Sequence, residues 1–190
     1  MDRRQFMEVS GLSAFPPYLT DETTSQPASG AQPPAAPLII GPEEAQVFAM
    51  SAGGEARLLA TGENTGGTLW VGRFREDPGF MTSVHFHPRT DEQFYVLEGI
   101  LSLYIEERWR ELGPGMLAVV PHGVRHAQGN RSDKPVHFVG SGSPAGFEKL
   151  FPAVEALMKR GVTPGSPEFA KEFAEISKRC DMEHVGPAPR

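Results

Sequence analysis

Gly79-Phe-Met-Thr-Ser-Val-His85-Phe-His87-Pro-Arg-Thr-Asp-Glu92-Gln-Phe-Tyr-Val-Leu-Glu-Gly99 and, fifteen residues further on, Gly115-Met-Leu-Ala-Val-Val-Pro121-His-Gly123-Val-Arg-His126-Ala-Gln-Gly-Asn130 are the stretches that decide how this chain folds. His85 and His87 lie two apart in a β-rich run, where side chains alternate faces, so both imidazoles point the same way. Pro88 to Asp91 is polar and turn-like, and the chain re-enters a strand at Glu92, whose period-2 partners Phe94 and Val96 are apolar. Glu92 therefore shares the inward face with a hydrophobic lining. Gly99 gives permissive backbone for a tight turn between the strands Gln93–Glu98 and Ile100–Glu106. Gly115 does the same before the next strand, and Pro121 with Gly123 turns the chain back toward His126. Three imidazoles and one carboxylate suit a divalent first-row ion such as Fe, Mn, Co, Ni, Cu or Zn, and on an octahedral ion they leave room for water or substrate.

The two blocks resemble the paired motifs of the cupin superfamily, G-x5-H-x-H-x4-E-x6-G and G-x5-P-x-G-x2-H-x3-N, at every fixed position, and the short connector from Gly99 to Gly115 is typical of small bacterial cupins. The resemblance implies an all-β fold, the double-stranded β-helix or jelly-roll barrel. It also implies one divalent transition metal ion per chain, with His85, His87, Glu92 and His126 as ligands, and a homodimer. The stretch PAGFEKLF from Pro144, the ending EISKRCDMEHVGPAP and the segment LIIGPEEAQVF are similar to cupins of the quercetin 2,3-dioxygenase-like group, so the likeness runs from Leu38 to Pro189. That implies a metal-dependent dioxygenase acting with O2 on a flavonol or another enolisable aromatic small molecule. In it the substrate hydroxyl meets the metal, and Glu92 is ligand and catalytic base together. Two alternatives stand beside it: a non-oxidative cupin enzyme of the isomerase, decarboxylase or polyketide-cyclase kind, and a small-molecule binding module.

The rest of the chain fits around that centre. Its 190 residues suffice for one domain with a tail, and a single cysteine, Cys180, excludes an internal disulfide. A net charge of −6 without a concentrated basic patch argues against nucleic acid or an anionic membrane as partner, and no apolar run reaches the length of a membrane span. Arg3-Arg4-Gln5-Phe6-Met7 looks like the core of a twin-arginine export signal, but Glu8 and Pro16-Pro17 cut the apolar stretch short, so cytoplasmic location and export both stay open. Ser25 to Pro37, rich in Pro, Ala, Gly and Ser, reads as a linker. The expected division is an N-terminal segment over 1–37, a barrel over 38–142 and a helical extension over 143–190.

Leu38–Ile40, Gln46–Met50, Arg57–Thr61, Thr68–Phe74 and Val136–Gly140 read as further strands. Trp70, Phe74, Met81, Phe94, Val96, Met116, Val124 and Phe138 are candidates for the barrel wall, and Tyr95 and Tyr104 for the core. Asp91 faces away from Glu92 and suits a supporting or surface role; His122 belongs at the rim, His137 and Arg125 on the outside, and Gln128 on the face of His126. After Gly142 the apolar spacing turns helical, with Pro152 expected to divide or kink the first helix. Ser166, Pro167 and Glu168 are suited to start a second helix with Phe169, Phe173 and Ile176 as its apolar stripe, and both helices are expected to cover the barrel end or the outer sheet.

Overall fold

Alternation of buried and exposed side chains builds two facing sheets. The computed structural model describes residues 37–50 and 53–189; the twin-arginine reading and nearly all of the linker lie outside the described residues. In chain order the elements are β1 (Gln46–Ala49), β2 (Gly54–Ala60), β3 (Trp70–Glu76), β4 (Val84–Phe86), β5 (Asp91–Glu98), β6 (Leu101–Ile105), β7 (Arg108–Leu112), β8 (Leu117–Val120), β9 (His126–Gly129), β10 (Val136–Ser143), α1 (Leu150–Lys159), α2 (Pro167–Arg179) and β11 (Glu183–Gly186). One sheet runs β1-β2-β3-β10-β5-β8 and the other β11-β4-β9-β6-β7. All these pairings are antiparallel, and the result is the jelly-roll barrel.

β3 turns Trp70, Gly72, Phe74 and Glu76 inward, and β10 answers with Val136, Phe138, Gly140 and Gly142. Phe74 stacks on Phe138 with ring centres 5.1 Å apart. The two β10 glycines make this possible, because a Cβ on Gly142 would stand 2.4 Å from Trp70 Nε1 and one on Gly140 2.8 Å from the Phe74 ring. Full burial of each such ring contributes on the order of 1.5–3 kcal/mol. Gly99 turns β5 into β6 at φ 78°, and a Cβ there would strike the Pro135 carbonyl, so the position admits only glycine.

Several expectations change. Leu38–Ile40 forms no strand, and Ile39 is almost fully exposed. β7, written Arg-Trp-Arg-Glu-Leu, was hidden by its charges and by its turn: Glu106 and Glu107 take φ of 52° and 60°, the left-handed geometry of a two-residue hairpin that Asn-Gly would usually announce. The Glu106 carboxylate accepts hydrogen bonds from Arg108 and Arg110, which hold the hairpin locally. Met116 leaves the expected wall; it is exposed, and its sulfur accepts from the Gly113 amide. Tyr95 is exposed on the outer face of β5, not in the core.

A short 3-10 turn, Phe147–Lys149, leads into α1. Pro152 sits in the first turn of that helix, where its missing N–H has no intrahelical partner to lose, so α1 is not divided. Ser166 caps α2, its hydroxyl accepting from the Phe169 amide at 3.1 Å. Leu150, Leu157, Val162, Ile176, Cys180 and Met182 form a second apolar cluster. Asp181, at φ 57°, then turns the chain into β11, which joins the edge of the barrel beside β4. Among the described residues no helix is long and apolar enough to cross a membrane.

Among the described residues, Trp70 Nε1 and the Glu76 carboxylate are buried without a hydrogen-bond partner. Glu76 is fully buried and neither carboxylate oxygen finds a hydrogen-bond donor of good geometry. Burial pushes its carboxyl up to about 8, with the Gln128 side chain opposing in part. The folded chain therefore keeps the Glu76 proton while the unfolded chain releases it above its ordinary value, so stability is lost as pH rises from there to about 8. The slope is up to about 1.4 kcal/mol per pH unit. Glu76→Gln is expected to flatten this loss, so that melting temperatures measured from about pH 5 to about pH 9 fall less for the variant than for the wild type; equal falls would place the pH sensitivity elsewhere.

Candidate metal centre

β11, β4 and β9 lie side by side, and their registers set His184, His85 and His126 in one row across the inner face of the sheet. His87 follows two residues after His85 on the same face, just past the end of β4. Glu92 arrives from the opposite sheet, near the start of β5 between Val120 and Gly142. The structure thus brings His85, His87, Glu92 and His126 together, each at most 4% exposed, with one ligand-type atom from each lying within 4.8 Å of the others.

Hydrogen bonds decide what these atoms offer. His85 Nδ1 meets the Ser83 carbonyl at 2.8 Å, His87 Nδ1 the Asp181 carbonyl at 2.8 Å, and His126 Nδ1 the Val124 carbonyl at 3.0 Å. A carbonyl can only accept, so each Nδ1 carries the proton, and each neutral ring leaves a lone pair on Nε2. Those lone pairs converge with the carboxylate: Glu92 Oε2 is 2.9 Å from His126 Nε2 and 3.2 Å from His87 Nε2. Acceptors facing acceptors in a buried site require positive charge between them, supplied either by extra protons on the rings or by one cation. The donor set, three imidazole nitrogens and a carboxylate oxygen, fits a divalent transition metal ion.

The electrostatics show the pull for positive charge at this point. Burial opposes the charged form of both Glu92 and His87, yet His126 and then His87 outweigh it at Glu92, holding that carboxyl well below the usual carboxylate range, and Glu92 in turn raises His87. His85, with burial as the main cause and His126 as a second, is pushed down to about 3 and stays neutral, as a ligand must.

The supporting residues are largely ones that sequence reasoning missed. Asp181, which holds His87 through its carbonyl, is itself clamped by its carboxylate. Oδ2 accepts from the Arg89 amide at 3.2 Å, the Thr90 amide at 3.0 Å and the Thr90 hydroxyl at 2.8 Å, while Oδ1 accepts from Arg89 Nε at 2.9 Å. Phe147 packs edge-on against His87, ring centres 4.8 Å apart. Ser83 and His184 stand beside His85, and burial keeps the His184 ring below its ordinary value. Ser83 was legible from its spacing two before His85; Asp181 and His184 carry no local pattern and surfaced only within the tail resemblance.

Asp91, by contrast, is at the surface, accepting from the backbone and Nδ1 of exposed His122, and Arg125 is exposed as well. Neither joins the cluster.

A cavity of about 270 Å³ opens against the cluster, which contributes His85 and Glu92 to its wall. Trp70, Phe74, Met81, Phe94 and Phe138 line it from the barrel, as expected, and Gln128, Thr82, Ser83 and His184 add polar atoms. Val96 stays in the packed core. Phe147, Phe151, Phe169 and Phe173 complete the wall, so the helical segment supplies much of the cavity rather than merely covering a sheet.

Comparison with known proteins agrees with the fold. Residues 72–140 match the cupin domain family (Cupin_2). The tetracenomycin polyketide synthase protein TcmJ of Streptomyces glaucescens is 31% identical over 93 residues, 48% of this chain and 62% of that one, so the chain spans less than two-thirds of that relative. Among solved structures, KdgF from Halomonas sp. superposes with a TM-score of 0.51 at 22% identity, covering 57% of this chain and 94% of that one. The polyketide cyclase RemF from Streptomyces resistomycificus superposes with a TM-score of 0.50 at 20% identity, covering 57% and 80%. At such identities the two structures speak for the fold alone.

Asp181→Ala should cost about 1–3 kcal/mol of stability, because the buried Thr90 amide loses its acceptor. It should also weaken zinc uptake by roughly tenfold or more, because the Asp181 carbonyl that orients His87 stays but the carboxylate clamp that holds it in place is lost. Thermal melts and a zinc titration against a competing chelator check the two effects; unchanged zinc affinity would separate Asp181 from the site.

Proposed function

From the premise that the barrel of this chain is a cupin domain, present in one copy among the described residues, we propose a metal-dependent enzyme acting on an enolisable aromatic or polyketide-type small molecule. His85, His87, Glu92 and His126 would hold the ion in this reading. The observation that carries the proposal is the convergence of four ligand atoms within 4.8 Å beside a cavity rich in aromatic rings.

When bound there, a divalent ion supplies Lewis acidity, lowering the pKa of a coordinated enol or phenol. Three neutral imidazoles and one carboxylate leave a local charge of about +1, which favours an anionic oxygen in the open position. The aromatic walls exclude water and hold a flat apolar body in place, while Glu92, a buried carboxylate on the cavity wall, is assigned in this reading to take the hydroxyl proton. The protein side of the chemistry is thus proton removal and restraint of an enolate.

Non-oxidative carbon–carbon chemistry of the cyclase kind is the first reading, supported by a relative named for polyketide synthesis. Ring-opening dioxygenation of a flavonol is the second, supported by the tail resemblance and by the Glu92 carboxylate on the cavity wall. Homodimerisation belongs to the same proposal. The row of exposed Tyr95, Leu97, Leu117 and Val119 on β5 and the edge strand β8 is compatible with it, and light scattering that returns a monomer mass would remove it.

Turnover of a poly-β-ketone thioester by zinc-loaded protein under argon is the expected result. Oxygen uptake with quercetin, seen only with a redox-active ion, would move the assignment to the second reading, and no turnover with either would leave no enzyme to assign. Glu92→Gln should retain metal measured by elemental analysis while lowering turnover by roughly 100-fold or more; unaltered turnover would reduce Glu92 to a ligand.

A further inference from the structure

His184 is a fourth histidine on the inner face of the barrel, opposite His85 in the register of β11 and β4, yet it lies outside the cluster of four. Both of its ring nitrogens are engaged by hydroxyls: Nδ1 is 2.7 Å from Ser83 Oγ, and Nε2 is 3.0 Å from Ser177 Oγ. The direction of these bonds is set at the far end. Ser177 Oγ lies 2.7 Å from the Phe173 carbonyl four residues earlier in α2, and a carbonyl only accepts, so the single Ser177 proton goes there. Ser177 must then accept from His184, which places the ring proton on Nε2 and leaves Nδ1 a bare lone pair. Nδ1 in turn only accepts, so the single Ser83 proton goes to His184.

Ser83 and His184 both line the cavity, next to His85. The Ser83 hydroxyl thus shows the cavity lone pairs and no proton. We propose that Ser83 is a specificity-determining residue that accepts a hydrogen bond from a second hydroxyl of the ligand, beside the oxygen that meets the metal. His184 and Ser177 are the positioning residues that fix its polarity. This rests on the metal-and-oxygen reading of the site given above and adds a substrate class to it: a compound whose neighbouring oxygen is a hydroxyl, phenolic or enolic, is selected over the same skeleton carrying an ether there. An ether oxygen there would face the Ser83 lone pairs with no proton between them, a mismatch worth roughly tenfold or more in affinity.

Zinc-loaded full-length protein titrated with 2,3-dihydroxynaphthalene and with 3-methoxy-2-naphthol tests this. Wild type is expected to prefer the diol. In Ser83→Ala, which keeps the backbone carbonyl that holds His85, the preference should fall by roughly tenfold while zinc stoichiometry stays the same. Whatever preference survives in that variant reports chelation by the diol alone. Ser177→Ala, far from any ligand contact, frees the His184 ring to move its proton to Nδ1 and so lets Ser83 donate; the methoxy compound should gain affinity several-fold, an effect that loss of packing would not produce. The same diol preference in wild type and Ser83→Ala would overturn the inference while leaving the site reading standing. Binding of neither naphthol to zinc-loaded wild type would overturn both.

Discussion

Everything in this barrel answers to one arrangement of hydrogen bonds. Three imidazoles each spend Nδ1 on a backbone carbonyl, and so each must present a lone pair to the same buried point that the Glu92 carboxylate already faces. Such a point is unfavourable unless positive charge occupies it, because acceptors stripped of water and set against one another have nothing to offset their desolvation. The jelly roll provides the rigidity to impose that geometry. His85 and His126 face each other across paired strands, Glu92 enters from the opposing sheet, and packed rings such as Phe74 on Phe138 keep the sheets from relaxing apart.

The C-terminal segment belongs to the site as much as the two motif blocks do. It delivers the carbonyl that orients His87, the carboxylate that clamps the Arg89–Thr90 turn, the ring that packs on His87 and the histidine that sets the polarity of Ser83. The same segment adds Phe147, Phe151, Phe169 and Phe173 to the cavity wall. Specificity in a fold of this sort resides in what surrounds the metal site more than in the ligands themselves, and here much of that surround comes from residues beyond β10.

How much of this was legible beforehand depends on how local the signal was. His85 and His87 could be placed on one face, and Glu92 on the inward face of its own strand, because strand periodicity is a short-range rule, and the cap on α2 was readable because Ser166, Pro167 and Glu168 act within a single turn. β7 was not readable: its residues are mostly charged, and its hairpin rests on two glutamates in left-handed geometry held by arginine contacts that no turn preference encodes. Asp181, 94 residues from His87, and His184, 101 from Ser83, meet their partners only through tertiary folding. Met116 was misplaced for a related reason, since a strand period extended one residue too far into the turn after Gly115 sends a side chain to the wrong side.

Anomalous diffraction from crystals of the full chain grown with zinc, recorded on both sides of the zinc absorption edge, would locate the cation itself. One dominant peak is expected, about 2.0–2.2 Å from the Nε2 atoms of His85, His87 and His126 and from a carboxylate oxygen of Glu92. A peak elsewhere on the chain, or the four side chains well ordered with no anomalous density among them, would contradict the metal site on which the proposed chemistry stands.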